Sequence, residues 1–116
     1  MAERRMISKK IVSTERFLSL PEKARLAYFY LITEADDDGF IGNVKGVLAM
    51  CGLTPKSVAP LIEKGYLYYF NTGIAVIMHW YAQNKVARDR YTPTIYTDER
   101  NRLYLDDNKT YVLTTG

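Results

Sequence analysis

Apolar positions along the chain switch between a helical and an alternating period, and the switches divide it into elements. The run SLPEKARLAYFYLITEA opens on Ser19, Pro21 and Glu22, the spacing of a capping box with proline in the first turn. Leu26, Ala27, Tyr30 and Leu31 recur at helical spacing and Phe29 and Ile32 widen the face, which predicts a buried helix of about four turns. DDDG ends it, and GFIGN supplies one short strand at Phe40–Ile41. Next, Asn43 caps a helix whose Val44, Val47, Leu48 and Cys51 fall at i, i+3, i+4 and i+7, and Gly52 closes it. Thr54 and Pro55 open another, with Val58, Leu61 and Ile62 turned inward and Gly65 at its end. The runs YLYYF and IAVIMHW are then rich in aromatic and β-branched residues, and NTG joins them into a β-hairpin.

Two short helices joined by so brief a turn form a helix-turn-helix, and a hairpin directly after it makes the winged plan. The predicted fold is therefore α+β, a winged helix-turn-helix of three main helices plus a short three-stranded antiparallel sheet, with a C-terminal extension. The strand at Phe40–Ile41 is expected to pair with the hairpin, since two strands alone are marginal in water. Trp80 is expected to cover the hairpin's base. The boundaries read as a basic N-terminal arm at 1–18, the winged core at 19–82 and a basic extension at 83–116. Within the arm, STERFLSL predicts a short helical turn. In the extension, YAQNKVARDRYTPTIY is polar, basic and interrupted by Pro93, so it reads as loop or broken helix. TDERNRLY fits a short capped helix starting at Thr97, while LYLDDNKTYVL fits a second hairpin around DDNK; periodicity does not separate the two.

At 116 residues the chain suits one core, and 47% hydrophobic with 25% charged residues is an ordinary globular balance. Ten tyrosines are many for this length, and their apolar bodies with polar tips suit a half-exposed contact surface as well as a core. Cys51 is the single cysteine, so no intramolecular disulfide can form and nothing suggests an oxidising compartment. No apolar run spans a membrane and no signal-peptide pattern opens the chain. These features lead us to expect a protein of the bacterial host cytosol with no membrane partner.

Candidate chemistry is sparse. His79 is the only histidine and has no ligand spacing around it, so neither a metal nor any other cofactor is expected. Cys51 lies on an apolar helix face and reads as core. Asp36, Asp37 and Asp38 lack the alternate acidic positions of a calcium loop and read as a solvated turn. GFIGNVKG lacks the GK[ST] ending of a phosphate loop. The chain is expected not to be an enzyme.

Charge points instead to DNA. The net charge is +3, and residues 1–16 alone carry +3 through Arg4, Arg5, Lys9, Lys10 and Arg16 against Glu3 and Glu15. A smaller basic knot sits at Lys85, Arg88 and Arg90. In a helix-turn-helix the second helix enters the major groove by its N-terminal residues, here Lys56 and Ser57, with Lys64 further along. Asn71 and Thr72 at the hairpin tip are expected to hold backbone, and Arg4, Arg5, Lys9, Lys10, Lys85, Arg88 and Arg90 to meet phosphates. Four to six such contacts would give a salt slope of roughly −4 to −5. Glu63 and Pro60 on the presented helix, and the absence of arginine there, make it a modest base reader by itself. On the first hairpin strand, Tyr66, Tyr68 and Phe70 share one face and Tyr69 takes the other, a candidate oligomer surface.

Taken together, RRMISKKIV, LPEKARLAYFYL, ADDDGF, LIEKGYL, IMHW and ARDRYTPTIY resemble the N-terminal region of replisome organisers, the replication initiation proteins of phages of Gram-positive bacteria, relatives of the DnaD-type primosome proteins. The resemblance covers roughly residues 3–112. It implies a winged-helix domain that binds the double-stranded replication origin, forms a homo-oligomer, or does both while a helicase-loading complex is built. It further implies a C-terminal domain, beyond the YVLTTG end, that contacts a helicase loader or single-stranded DNA. A protein-interaction module of that complex and a transcription repressor on the same scaffold are the alternative readings.

Overall fold

Each element expected in the middle of the chain forms, in the expected order. The computed structural model describes residues 4–114, so the outermost ends of the expected arm and extension, residues 1–3 and 115–116, lie outside the described residues. Two single-turn helices, α1 (Lys9–Val12) and α2 (Glu15–Leu18), precede the 13-residue α3 (Glu22–Glu34). Then come β1 (Phe40–Ile41), α4 (Val44–Met50), and a 3₁₀ turn (Pro55–Val58) that runs into α5 (Ala59–Glu63). The hairpin β2 (Leu67–Tyr69) and β3 (Ala75–Ile77) follows. β1 and β2 both pair antiparallel with β3, so Phe40 and Tyr68 flank Val76 in a three-stranded sheet. The architecture is α+β.

Local chemistry explains the starts and stops. The Asn43 side chain accepts the Gly46 N–H at 3.1 Å and opens α4. Gly73 turns the first hairpin at a φ of +90°, a conformation glycine reaches without strain. The expected capping box at Ser19 does not form. Ser19 instead ends α2 and its hydroxyl donates to the Arg16 carbonyl at 2.8 Å, while α3 starts at Glu22 with Pro21 at the cap position and no side-chain cap.

The buried face of α3 is Ala24, Ala27, Tyr28, Leu31 and Ile32, and Leu26 and Tyr30, expected inside, are exposed. Apolar residues nearly encircle this helix, so periodicity leaves its rotation open. Aromatic packing sets it: Phe17 and Tyr66 meet the Tyr28 ring edge-on at 5.2 and 5.8 Å. Ile62 is likewise exposed rather than inward. The 3₁₀ turn before α5 advances three residues per turn, which shifts the phase and leaves Val58 and Leu61 as the buried pair.

Beyond β3, α6 (Trp80–Gln83) and a 3₁₀ turn (Arg88–Arg90) lead to α7 (Thr97–Arg100) and a second hairpin, β4 (Leu103–Leu105) with β5 (Tyr111–Leu113). The short helix and the second hairpin therefore both exist, one after the other; the helix starts at Thr97 as expected, behind Tyr96 and without a side-chain cap. The arm and the extension share the central core: Phe17, Leu103 and Tyr111 belong to the same buried cluster as Leu31, Leu48 and Val76. No helix among the described residues is long and apolar enough to cross a membrane.

The acidic turn is buried, not solvated. Asp37 and Asp38 are enclosed, and the Trp80 indole N–H donates to the Asp37 carbonyl at 2.9 Å. Gly39 permits this approach: at φ +91°, a Cβ there would lie 2.6 Å from Trp80 Cγ. Gly39→Ala combines a left-handed backbone with that clash, and is expected to cost about 1–3 kcal/mol by urea unfolding. An unchanged midpoint would show that Trp80 moves aside freely.

Candidate nucleic-acid interface

The first cation to place is Arg5, and it is not available to DNA. Its side chain is 4% exposed, its guanidinium lies 3.1 Å from Asp37 Oδ1, and it donates to the Ala35 carbonyl at 2.7 Å. The same group sits 5.2 Å over the Trp80 ring. A guanidinium buried against a carboxylate and an indole face is a structural fastener, so Arg5 leaves the set of phosphate contacts.

Its partner belongs to a wider polar network. Asp38 accepts the Tyr81 and Tyr91 hydroxyls, the latter at 2.7 Å to each oxygen, and the Thr94 N–H at 2.8 Å. Asp36 accepts the N–H groups of Asp38 and Phe40 and the Thr94 hydroxyl, and Asp37 accepts the Thr92 N–H. Burial pushes the Asp36 carboxyl above its ordinary range, against the pull of these hydrogen bonds. The Tyr111 hydroxyl donates to the Asp38 carbonyl at 2.7 Å. Tyr91, Thr92 and Thr94 are thus tied to the turn after α3 by the carboxylates read as solvated, and Tyr111 by the Asp38 main-chain carbonyl; no group of His, Cys, Asp and Glu among the described residues is arranged to hold a metal.

The remaining candidates divide by position. Arg4, Lys9, Lys10, Lys56, Lys64, Lys85, Arg88 and Arg90 are exposed, and Ser57 is half-buried. Lys56 stands on the 3₁₀ turn that leads into α5, with Glu63 exposed at the far end. Two basic segments distant in sequence are stitched together. Asn84 accepts the Met6 N–H at 2.7 Å and donates to the Met6 carbonyl at 3.1 Å, while Gln83 accepts the Ser8 N–H at 3.0 Å. Lys85 therefore follows directly on the residues that clasp the arm carrying Arg4, Lys9 and Lys10.

The hairpin differs from expectation. Tyr66 and Phe70 are 3% and 1% exposed, so neither can form an oligomer surface; Tyr68 and Tyr69 are half-buried. Phe70 is enclosed because the Tyr68 ring packs edge-on at 4.7 Å and the Arg102 guanidinium lies 5.2 Å over its ring. At the tip Asn71 is exposed, but the Thr72 hydroxyl donates to Glu99 Oε2 at 2.8 Å. A carboxylate at that place repels phosphate, so Thr72 drops out of the backbone-holding pair.

Other residues take places that the sequence did not assign them. The Arg16 guanidinium donates to the Lys64 carbonyl and lies 5.3 Å over the Tyr66 ring, fastening the arm to the end of α5. Lys45, exposed at the start of α4, lines a surface depression with Tyr69 and Gly73 of the hairpin. His79 packs 5.5 Å from the Tyr66 ring, and burial, then the Arg16 charge, holds its imidazole below the ordinary range. Arg16 was visible only as one more charge in the arm, and nothing local marks its partner 48 residues away. No family model matches the chain, and no curated protein or solved structure compared with it matches either.

Proposed function

We propose that the chain is a non-enzymatic, winged-helix DNA-binding module, and that it serves as the origin-binding domain of a phage-type replication initiator. The observation that carries the DNA reading is the order helix, strand, helix, turn, helix, hairpin, with β1 completing the hairpin's sheet and Lys56 exposed where the last helix begins. In winged-helix docking that helix end approaches the major groove while the hairpin follows the backbone. Lys56, Ser57 and Lys64 then face the groove, Asn71 holds backbone, and Arg4, Lys9, Lys10, Lys85, Arg88 and Arg90 supply phosphate contacts. The replication reading rests on the sequence resemblance, and a helicase loader reached through a further domain belongs to the same proposal.

Six phosphate contacts predict a salt slope of about −5 for duplex binding. Lys56→Ala combined with Lys64→Glu is expected to weaken binding at low salt and to flatten the slope by about 1 for each phosphate that is no longer neutralised. Fluorescence anisotropy across a salt series checks this, and binding that ignores both substitutions would place the docking face elsewhere. Selection of bound sequences from random duplexes at two salt concentrations separates base reading from charge attraction.

A second reading is an oligomerisation module. Leu26 and Tyr30 lie one turn apart on the outward face of α3, both exposed, where an apolar pair suits a protein contact. Light scattering over a concentration series distinguishes it: a stable oligomer with no salt-sensitive duplex binding favours this role.

A further inference from the structure

We propose that the pocket between the two arm helices and the root of the first hairpin, lined by Lys10, Arg16, Tyr66 and His79, binds a phosphate group. The inference deepens the DNA-binding reading by giving the arm a defined phosphate subsite, and it rests on that reading only for the source of the phosphate.

The pocket is an open depression of about 270 Å³ whose lining is completed by Ile11 and Thr14. Its charged side chains have one sign. The only ion pair among the described residues is Arg5–Asp37, so neither Lys10 nor Arg16 is held by a carboxylate. Arg16 uses one amino group on the Lys64 carbonyl and rests on the Tyr66 ring, which fixes its plane while leaving other N–H groups free. That arrangement suits an oxyanion, which a guanidinium binds through a fixed fork of donors. His79 Nδ1 is enclosed with no partner. The imidazole lines the same depression as Lys10 and Arg16, so an anion held by those cations lies close enough to act on its charge.

The groups around His79 fix the electrostatic consequence. Lys10 comes from α1, Arg16 from α2, Tyr66 from the start of the first hairpin, and Asp106 acts from the second hairpin. Burial first, and then the Arg16 charge, make a charged imidazole costly, and Asp106 opposes them only in part. A bound phosphate reverses the balance by placing negative charge beside the ring, so the imidazolium becomes the favoured form.

His79 is the only histidine, so its imidazole NMR signals report this pocket and no other. The test follows them against pH in chloride buffer, then with inorganic phosphate and then with a short duplex, all at matched ionic strength. Phosphate in the pocket is expected to raise the titration midpoint by about one unit. Lys10→Gln, at an exposed position, is expected to reduce that shift and Lys10→Arg to keep it. A midpoint unmoved by either ligand, or a shift that Lys10→Gln leaves intact, overturns the proposal. Movement with the duplex assigns the phosphate to a nucleic-acid backbone; movement with inorganic phosphate alone assigns the pocket to a free or small-molecule phosphate. Duplex binding is read by anisotropy in the same samples. A duplex that binds while neither it nor inorganic phosphate moves His79 removes this subsite and spares the DNA-binding reading, whereas phosphate that moves His79 with no duplex bound does the reverse.

Discussion

Arg5→Ala is expected to remove about 3–5 kcal/mol of folding stability, a large part of what a domain of this size possesses. The substitution leaves the Asp37 carboxylate enclosed, with its facing cation gone and only the Thr92 N–H to hold its other oxygen. It also leaves the Ala35 carbonyl without its donor and uncovers the Trp80 ring that the guanidinium shields. Most of the loss comes from the stranded charge rather than from the attraction itself. The double replacement Arg5→Met with Asp37→Asn therefore loses much less, because no charge remains buried. Urea unfolding of the three proteins at neutral pH makes the comparison, and salt should change the difference little because the pair is out of contact with solvent. A single-substitution loss below about 1 kcal/mol is the value of a surface ion pair and would mean that water reaches this one. Arg4→Ala, one residue away and exposed, is expected to leave the midpoint in place while lowering affinity for duplex DNA.

That contrast between neighbours shows where the sequence is readable. Arg4 and Arg5 have the same chemistry and the same local context, and only the fold separates a solvated charge from a fastener. What could be read was set by short-range rules: Asn43 three residues before the amide it caps, NTG between two β-rich runs, glycines where φ is positive at 52 and 65. What could not be read depends on partners far along the chain. Asp38 meets Tyr81 and Tyr91, which lie 43 and 53 residues on, so DDDG has the composition of a solvated turn and the environment of a core. The same holds for the candidate interface. Lys56 and Asn71 follow from element order, whereas Arg16 with His79 and the removal of Thr72 by Glu99 follow from how the ends of the chain fold back. The rotation of α3 failed for a third reason, since its apolar residues suit several faces and long-range aromatic contacts select among them.

The network that hides those carboxylates, together with the separately buried Tyr28, governs the response to alkali, and cooperative unfolding is expected as the pH climbs above about 10. Burial raises the hydroxyls of Tyr28, Tyr81 and Tyr111 above their ordinary value near 10, and Tyr91 is pushed up to about 12. For Tyr81 and Tyr91 the Asp38 carboxylate adds to the effect, because it accepts their protons' hydrogen bonds and repels a phenolate. Raised values mean that the folded chain keeps protons that the unfolded chain releases near pH 10. The stability tied to these groups is thus complete below pH 10 and is lost as the pH rises towards the folded-state values. Tyr28 and Tyr111, the more deeply buried pair, give a loss of about 2.7 kcal/mol per pH unit in that window; Tyr81 and Tyr91 add less because solvent screens them. Against a total of about 5–15 kcal/mol, the fold should fail within a few units. Phenolate absorbance and circular dichroism, followed together through an alkaline titration, test this: a late, steep absorbance step should coincide with loss of structure. Tyr28→Phe removes one of the titrating groups while its ring still packs against Phe17, and should make the dependence shallower by about 1.4 kcal/mol per pH unit. If every tyrosine ionises while the dichroism stays native, the hydroxyls are open to water and the acidic turn is not the sealed core described above.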